Sequence, residues 1–250
     1  MILRARNLAF AFAALTVCGC GGSTSSNTEQ PSVESEPVAL YGACEPGEGG
    51  SGKTYMGREI AEVMGHSGLD WLERSEREQE ERTDLLMGML PIRPNHAVAD
   101  IGAGSGYFTM RLAPLVPEGV VYATDIQPEM LVVLEQRARD EGMLNVMPML
   151  GKIDDCGLEP NSVDLALLVD AYHEFSHPYE MMRSLHGAMK PTGVVVLVEF
   201  RLEDPTVAIK LRHKMSEEQA KAEMLAAGYA WVKTLNDLPQ QHVMLFSPVP

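Results

Sequence analysis

With 250 residues, 45% of them hydrophobic, the chain is long enough for one main domain whose core folds unaided. It carries 35 acidic against 20 basic side chains, a formal charge of −15 at pH 7. So acidic a protein is repelled by nucleic acid and by anionic membrane, and no basic patch offsets the repulsion.

Met1 to Gly19 opens with Arg4 and Arg6, continues through an apolar stretch from Leu8 to Val17 and ends in small residues. That is the layout of a secretory signal, and it is too short for a transmembrane span. Val17-Cys18-Gly19-Cys20 resembles a bacterial lipobox, which implies lipid on Cys20 and an exported protein held to a bacterial membrane by that lipid only. Residues 20–52, rich in Ser, Gly, Glu and Pro, read as a flexible tether. Within it, Gly47 to Thr54 spells the G-x-x-x-x-G-K-T of a phosphate loop, but such a loop needs a buried strand just before it, and Tyr41 to Pro46 is too broken to be one. Cys44 lies in this stretch, and its pairing with Cys156 is left open.

Residues 53–90 read as an N-terminal helical cap. In Leu69 to Arg82, opposite charges three and four apart predict a solvated helix face, with Trp71, Leu72, Leu85, Leu86 and Met89 as the buried remainder.

From residue 91 to 250 strands and helices alternate. An apolar strand ends at Val98-Ala99-Asp100-Ile101, and Gly102, Gly104 and Gly106 follow in alternation before a helix. Glycines there permit a tight turn and close backbone approach to a ligand, while a carboxylate before them disfavours a pyrophosphate. Val120 to Thr124 is a second strand ending at Asp125, a carboxylate placed to take two ribose hydroxyls. A helix from Gln127 to about Glu141, a strand from Asn145 to Leu150 and a strand from Val163 to Val169 follow, the last ending at Asp170. Pro178 to Met189 reads as a helix, Val194 to Phe200 as a doubly covered strand, and Ser216 to Gly228 as a capped helix. Trp231 to Leu235 and His242 to Phe246 make a closing antiparallel pair. The pattern predicts an open α/β sheet with its ligand crevice at the strand carboxyl ends.

The D-x-G-x-G-x-G stretch from Asp100, with Asp125 downstream, resembles the first motif of the class I methyltransferases that use S-adenosylmethionine. Gly151-Lys152-Ile153-Asp154-Asp155 resembles their adenine-binding stretch, and Met189-Lys190-Pro191-Thr192-Gly193 resembles the turn before their fifth strand. The likeness runs from about Lys53 to the C-terminus and is greatest to the group that contains quinone-biosynthesis and arsenite methyltransferases. It implies a Rossmann-like fold, a mostly parallel seven-stranded sheet with helices on both faces, and S-adenosylmethionine as cofactor. The cofactor residues it implies are Asp100, Gly102, Gly104, Gly106, Asp125, Ile126, Ile153 and Asp154. One departure stands out: Lys152 occupies the place of the usual Asp, so Asp154, Asp155 or the backbone alone must hold the adenine. The resemblance also makes Tyr55, Met56 and Trp71 candidates to cover the site.

The same likeness places Asp170, Tyr172, His173 and Glu174 opposite the methyl group. His173 is then the candidate base, Tyr172 an orienting group, and His213 and Lys214 lie within reach of the acceptor. His173-Glu174-Phe175-Ser176-His177 also spells H-E-x-x-H, but Pro178 pushes His177 out of helical conformation and the segment directly follows a strand. The two histidines should splay, Glu199 sits inside a strand, and no metal ligand is assigned. The expected reaction is methyl transfer to a small-molecule or lipophilic acceptor. The rival is a non-catalytic exported module that kept the nucleoside pocket for another small ligand.

Overall fold

The computed structural model describes residues 40–250. The signal of residues 1–19, the lipobox cysteine Cys20 and the tether up to residue 39 lie outside the described residues. None of the described helices is long and apolar enough to cross a membrane.

The described part of the tether is not a tether. Strands β1 (Tyr41–Ala43), β2 (Gly50–Tyr55) and β3 (Arg58–Ala61) form a small antiparallel sheet in the order β1-β2-β3. Gly49, Gly52 and Gly57 hold positive φ, and they let a Gly-rich segment double back where the composition alone reads as slack. The phosphate-loop motif therefore lies in an antiparallel hairpin, pairing Lys53 with Ala43 and Thr54 with Gly42, and no helix follows it.

The cap is also mostly short pieces. Helices α1 (Leu69–Leu72), α2 (Arg77–Glu81) and α3 (Thr83–Met89) are separated by bends, and Arg82 at φ 54° breaks α2 from α3. The charged face is solvated only in part: Asp70, Glu73, Glu76, Glu80 and Arg82 are exposed, as expected. Arg77 and Glu81 are buried and paired at 3.0 Å, and Arg74 reaches Glu81 at 2.7 Å. The Arg77 guanidinium lies over the rings of Tyr107 and Phe108, which replaces some of the hydration it loses.

The main sheet takes β4 (Ala97–Ile101), helix α4 (Thr109–Leu112), β5 (Val120–Asp125), α5 (Pro128–Asp140), β6 (Val146–Leu150) and β7 (Val163–Val169). Helix α6 (Pro178–Ala188) and β8 (Met189–Arg201) follow, then the two-residue β9 (Lys214–Met215), α7 (Glu217–Ala226), β10 (Tyr229–Leu235) and β11 (Gln241–Pro248). The order is β10-β11-β8-β7-β4-β5-β6, with β9 beside β8. This is the mostly parallel, Rossmann-like class I methyltransferase fold: β4 to β8 pair in parallel and only β11 is reversed, antiparallel to both β8 and β10. The eighth strand, β9, is an addition to the seven expected. The Lys190-Pro191-Thr192-Gly193 turn is drawn into β8, with the pairing slipped between Val163 and Leu165.

Local chemistry explains the helices that frame the crevice. Pro128 and Pro178 stand at the first turns of α5 and α6, where a missing N–H does no harm. Met130, Leu134 and Ala138, four apart, bury one stripe of α5. The Ser216 hydroxyl accepts from the Gln219 N–H at 3.1 Å to cap α7. The core fills both faces of the sheet, with Tyr172, Met182, Leu185, Met224 and Phe246 on one side and Leu86, Leu112, Val116 and Leu245 on the other.

From β4 the chain moves outward through β5 to β6, then returns to lay β7 on the other side of β4. The carboxyl ends of β4 and β7 thus flank a topological switch point, where an α/β sheet leaves room for a ligand.

Candidate active site

A cavity of about 480 Å³ opens at that switch point, and its lining draws on both sides of it. On the β4/β5 side stand Gly102, Gly104, Asp125, Ile126 and Gln127, with Gly151 to Ile153 beyond β6. On the β7/β8 side stand Asp170, His173, Glu174, Phe200, Ala208 to Lys210 and His213.

The first side is built from backbone. The Gly102 and Ala103 N–H groups both donate to Thr124 O at 2.9 Å, which ties the glycine turn to β5. Gly102 has φ +75°, and a Cβ there would come within 2.8 Å of the Ala171 methyl, so only glycine fits between the two strand ends. Both Asp125 oxygens are held: Gly104 N–H donates to Oδ2 at 2.9 Å and Gln127 N–H to Oδ1 at 2.8 Å. Burial raises the Asp125 pKa against these bonds, and the carboxylate keeps unused lone pairs at the cavity wall.

Three of the predicted cofactor residues are absent from this wall. Asp100 is buried under the turn, where Thr109 Oγ1 donates to it at 2.6 Å; burial pushes its pKa up to about 6. It anchors the start of α4. Gly106 packs against Leu134 and serves the turn. Asp154 is exposed and off the lining. Asp155 accepts from Gly157 N–H at 3.0 Å and Ser184 Oγ at 2.7 Å, so the loop consumes it. The Lys152 ammonium lies 3.5 Å from Asp155, with its side chain largely exposed. This end of the cavity is lined by Ile126, Lys152 and Ile153 and by the backbone around Gly151.

The second side is built from side chains. Asp170 ends β7 in the left-handed region at φ 48°, accepts from Gln241 Nε2 at 2.7 Å and leaves Oδ1 buried without a partner. Burial, with Glu81 and Glu199 near it, drives its pKa well up. Tyr172 does not face the cavity. It is fully buried, its hydroxyl has no partner, and the Arg58 guanidinium lies 5.8 Å from its ring. His173 does face it. Its Nδ1 lies 2.6 Å from Glu199 Oε2 and its Nε2 3.0 Å from His213 Nδ1. Burial lowers the His173 pKa and raises that of Glu199, so the ring is uncharged at neutral pH. Glu199 was legible as an acidic residue in an otherwise apolar strand, a signal that burial needs a partner.

The small sheet and the cap contribute from above. Tyr55 and Met56 stay away from the cavity, and Tyr55 is buried against Tyr41. Trp71 lines the cavity instead, together with Val63, Met64 and Leu72. Arg58 makes a two-pronged pair with Glu223 at 2.8 and 2.9 Å and donates to His173 O at 3.1 Å. Met64 spans the crevice: its N–H donates to Glu174 Oε2 at 3.0 Å and its carbonyl accepts from Gln127 Nε2 at 2.9 Å. His66 N–H completes the link to Gln127 Oε1 at 2.9 Å. His177 has left His173 and bonds Ser176 Oγ at 3.0 Å. Cys44 and Cys156 are both free, the latter buried in the cavity wall.

The fold and this crevice define an S-adenosylmethionine-type α/β domain, and the comparisons with known proteins make the assignment. A family model described as a methyltransferase domain matches residues 92–242, so the chain belongs to the methyltransferase-domain family. Its cofactor is S-adenosylmethionine. A solved S-adenosylmethionine-dependent methyltransferase of Aquifex aeolicus superposes with a TM-score of 0.71 at 20% identity, over 75% of this chain and 100% of that one. An uncharacterized methyltransferase-like protein of Schizosaccharomyces pombe is 33% identical over 50% of this chain and 46% of its own. A ubiquinone/menaquinone biosynthesis C-methyltransferase of Ectopseudomonas mendocina is 30% identical over 44% of this chain and 43% of its own. The chain thus spans about half the length of the curated relatives it matches.

The residues fit the cofactor. Gly104 at φ +54° leaves a cradle that a Cβ would fill, 3.1 Å from Leu72. Asp125 offers carboxylate lone pairs for a ribose diol, and Ile126 and Ile153 offer apolar surface for a base.

Proposed function

We propose that the chain transfers a methyl group from S-adenosylmethionine to a small-molecule or lipophilic acceptor. The observation that carries this is the division of one cavity into a backbone-and-Asp125 half and a His173 half. When bound, the cofactor supplies a methyl group on a positively charged sulfur, which passes to a lone pair of the acceptor. Asp125 and the glycine turn would hold the nucleoside. His173, oriented through Nδ1 by Glu199, presents Nε2 to the cavity, where it would accept the acceptor's proton. Phe175 and Phe200 give the acceptor side an apolar wall, which supports a lipophilic acceptor. Where the protein meets that acceptor follows from the Leu8 to Cys20 reading: a lipid on Cys20 would hold the domain at a membrane on the extracytoplasmic side.

The test is calorimetric titration of S-adenosylmethionine and S-adenosylhomocysteine into the full chain, followed by transfer of labelled methyl groups to an acceptor panel. Micromolar binding is expected, with transfer falling about a hundredfold in His173→Ala while binding is kept. Absence of binding at millimolar cofactor would overturn the proposal, and binding with no transfer to any acceptor would leave a ligand-binding module.

A further inference from the structure

Three side chains of the acceptor half converge in a way that proton transfer alone does not use. His173 Nε2 and His213 Nδ1 are 3.0 Å apart, Glu174 Oε1 lies 3.5 Å from His213 Nδ1, and it lies 3.8 Å from His173 Nε2. All three are buried or nearly so at the cavity wall, from the turn after β7 and the turn before β9. A tetrahedral ion bonded at about 2.0–2.1 Å separates its ligand atoms by about 3.3–3.4 Å, and the three observed distances bracket that value.

The orientation of the groups points the same way. His173 turns Nδ1 to Glu199 at 2.6 Å, which leaves Nε2 as the ring nitrogen aimed at the cluster. His213 Nδ1 and Glu174 Oε1 face the same point. The Arg58 guanidinium is committed to Glu223 and to the His173 carbonyl. The other ends of the cluster are already fixed: Glu199 orients His173 and Met64 N–H holds Glu174 Oε2. A ligating histidine backed by a carboxylate is the outer-shell arrangement that aims an imidazole at a metal.

We propose that His173, Glu174 and His213 bind a divalent transition ion, with zinc the first to consider, in a two-histidine, one-carboxylate site whose remaining position opens into the cavity. Two nitrogens and one carboxylate suit such an ion over calcium or magnesium, which prefer all-oxygen shells. Resting on the proposed methyl transfer, the ion has a use: its open position takes an oxygen of the acceptor. The coordinated hydroxyl gives its proton to solvent, and His173 Nε2 then acts as a ligand in place of a base. The acceptor class becomes an oxygen-bearing molecule. The H-E pair of the H-E-x-x-H motif is kept, but the second histidine is His213, brought in from forty residues downstream.

The test is titration of cobalt(II) into the metal-free full chain, read by visible absorption, with zinc competition and calorimetry of S-adenosylmethionine on the same samples. One cobalt per chain with the intense bands of a four- or five-coordinate ion is expected. Affinity should fall at least tenfold in His213→Ala and in the near-isosteric Glu174→Gln, and about tenfold or more in Glu199→Gln. His177→Asn should change nothing. No cobalt binding, or binding equal in all variants, would overturn the site. Cofactor binding that persists without metal separates that failure from failure of the methyltransferase reading.

Discussion

The two halves of the cavity are made in different ways. The cofactor half is built mainly from main-chain groups of the run from Ala99 to Gln127, with Gly151 to Ile153 added beyond β6 and Asp125 as its principal side-chain contribution. The acceptor half is assembled from side chains of four separate segments, at residues 58–64, 170–176, 199–200 and 208–213. A turn that must lie flat against a ligand imposes glycine at fixed intervals, so it leaves a local pattern. A cluster of side chains imposes only identities at distant positions, and its spacing is set by whatever the chain does between them. The reactive half is therefore the part of the molecule that depends most on packing far from it.

That dependence should show first at Arg58. Its guanidinium pairs with a fully buried Glu223 and holds the His173 carbonyl. Arg58→Met strands a buried carboxylate, with an expected loss of about 3–5 kcal/mol in chemical denaturation. If the halves are as separate as they look, the folded remainder keeps S-adenosylmethionine affinity while transfer falls. Equal losses in both would break the comparison.

Asp125→Ala probes the other half. Two backbone N–H groups lose their acceptor, and with them goes the carboxylate proposed to hold the nucleoside hydroxyls, so cofactor affinity should drop about a hundredfold. Cobalt affinity should stay as it was. Calorimetry of both ligands in this variant measures how far each half stands alone.

Sequence reading did well where the signal was short-range. The glycines, Asp125 and the alternation of strands and helices were all legible, because each reflects a steric or burial demand on neighbouring residues. It failed where residues that look loose are paired from afar. Gly49 and Gly52 read as part of a tether and Gly57 as part of a helical cap, yet these glycines supply the turns of a three-stranded sheet. Arg77 and Glu81 looked like surface charges, and only the rings of Tyr107 and Phe108 and the ion pair itself explain how they come to be buried. Asp100 reads as a cofactor contact from its place in the glycine motif; β4 is covered on both faces from Val98 to Ile101, and the carboxyl is buried under the turn against Thr109. His213 had been noted as within reach, but nothing near it in sequence marks it as a neighbour of His173.

Asp100 gives a smaller and sharper test. Burial, and the charge of Asp125 nearby, raise its pKa from an ordinary 3.8 to about 6. The folded state thus favours the protonated form. This contribution to stability is full below about pH 4 and is lost as pH rises through about 6. Asp100→Asn, neutral at every pH, should remove that slope, and its stability relative to the parent should increase across the same interval. A flat difference between the two melting curves from pH 4 to 7 would place the ionised carboxylate at no disadvantage.

The Met64 to His66 strap has a kinetic consequence. Its three hydrogen bonds reach Glu174 on one side and Gln127 on the other, so a solute leaving beneath it has to wait for them to break together. At about 1 kcal/mol net for each bond, the released strap is about one molecule in a hundred. Turnover then has a ceiling set by how often the strap lifts. Amide exchange at Met64 and His66 should run about a hundredfold slower than in an open chain, and a filled cavity should slow both amides together.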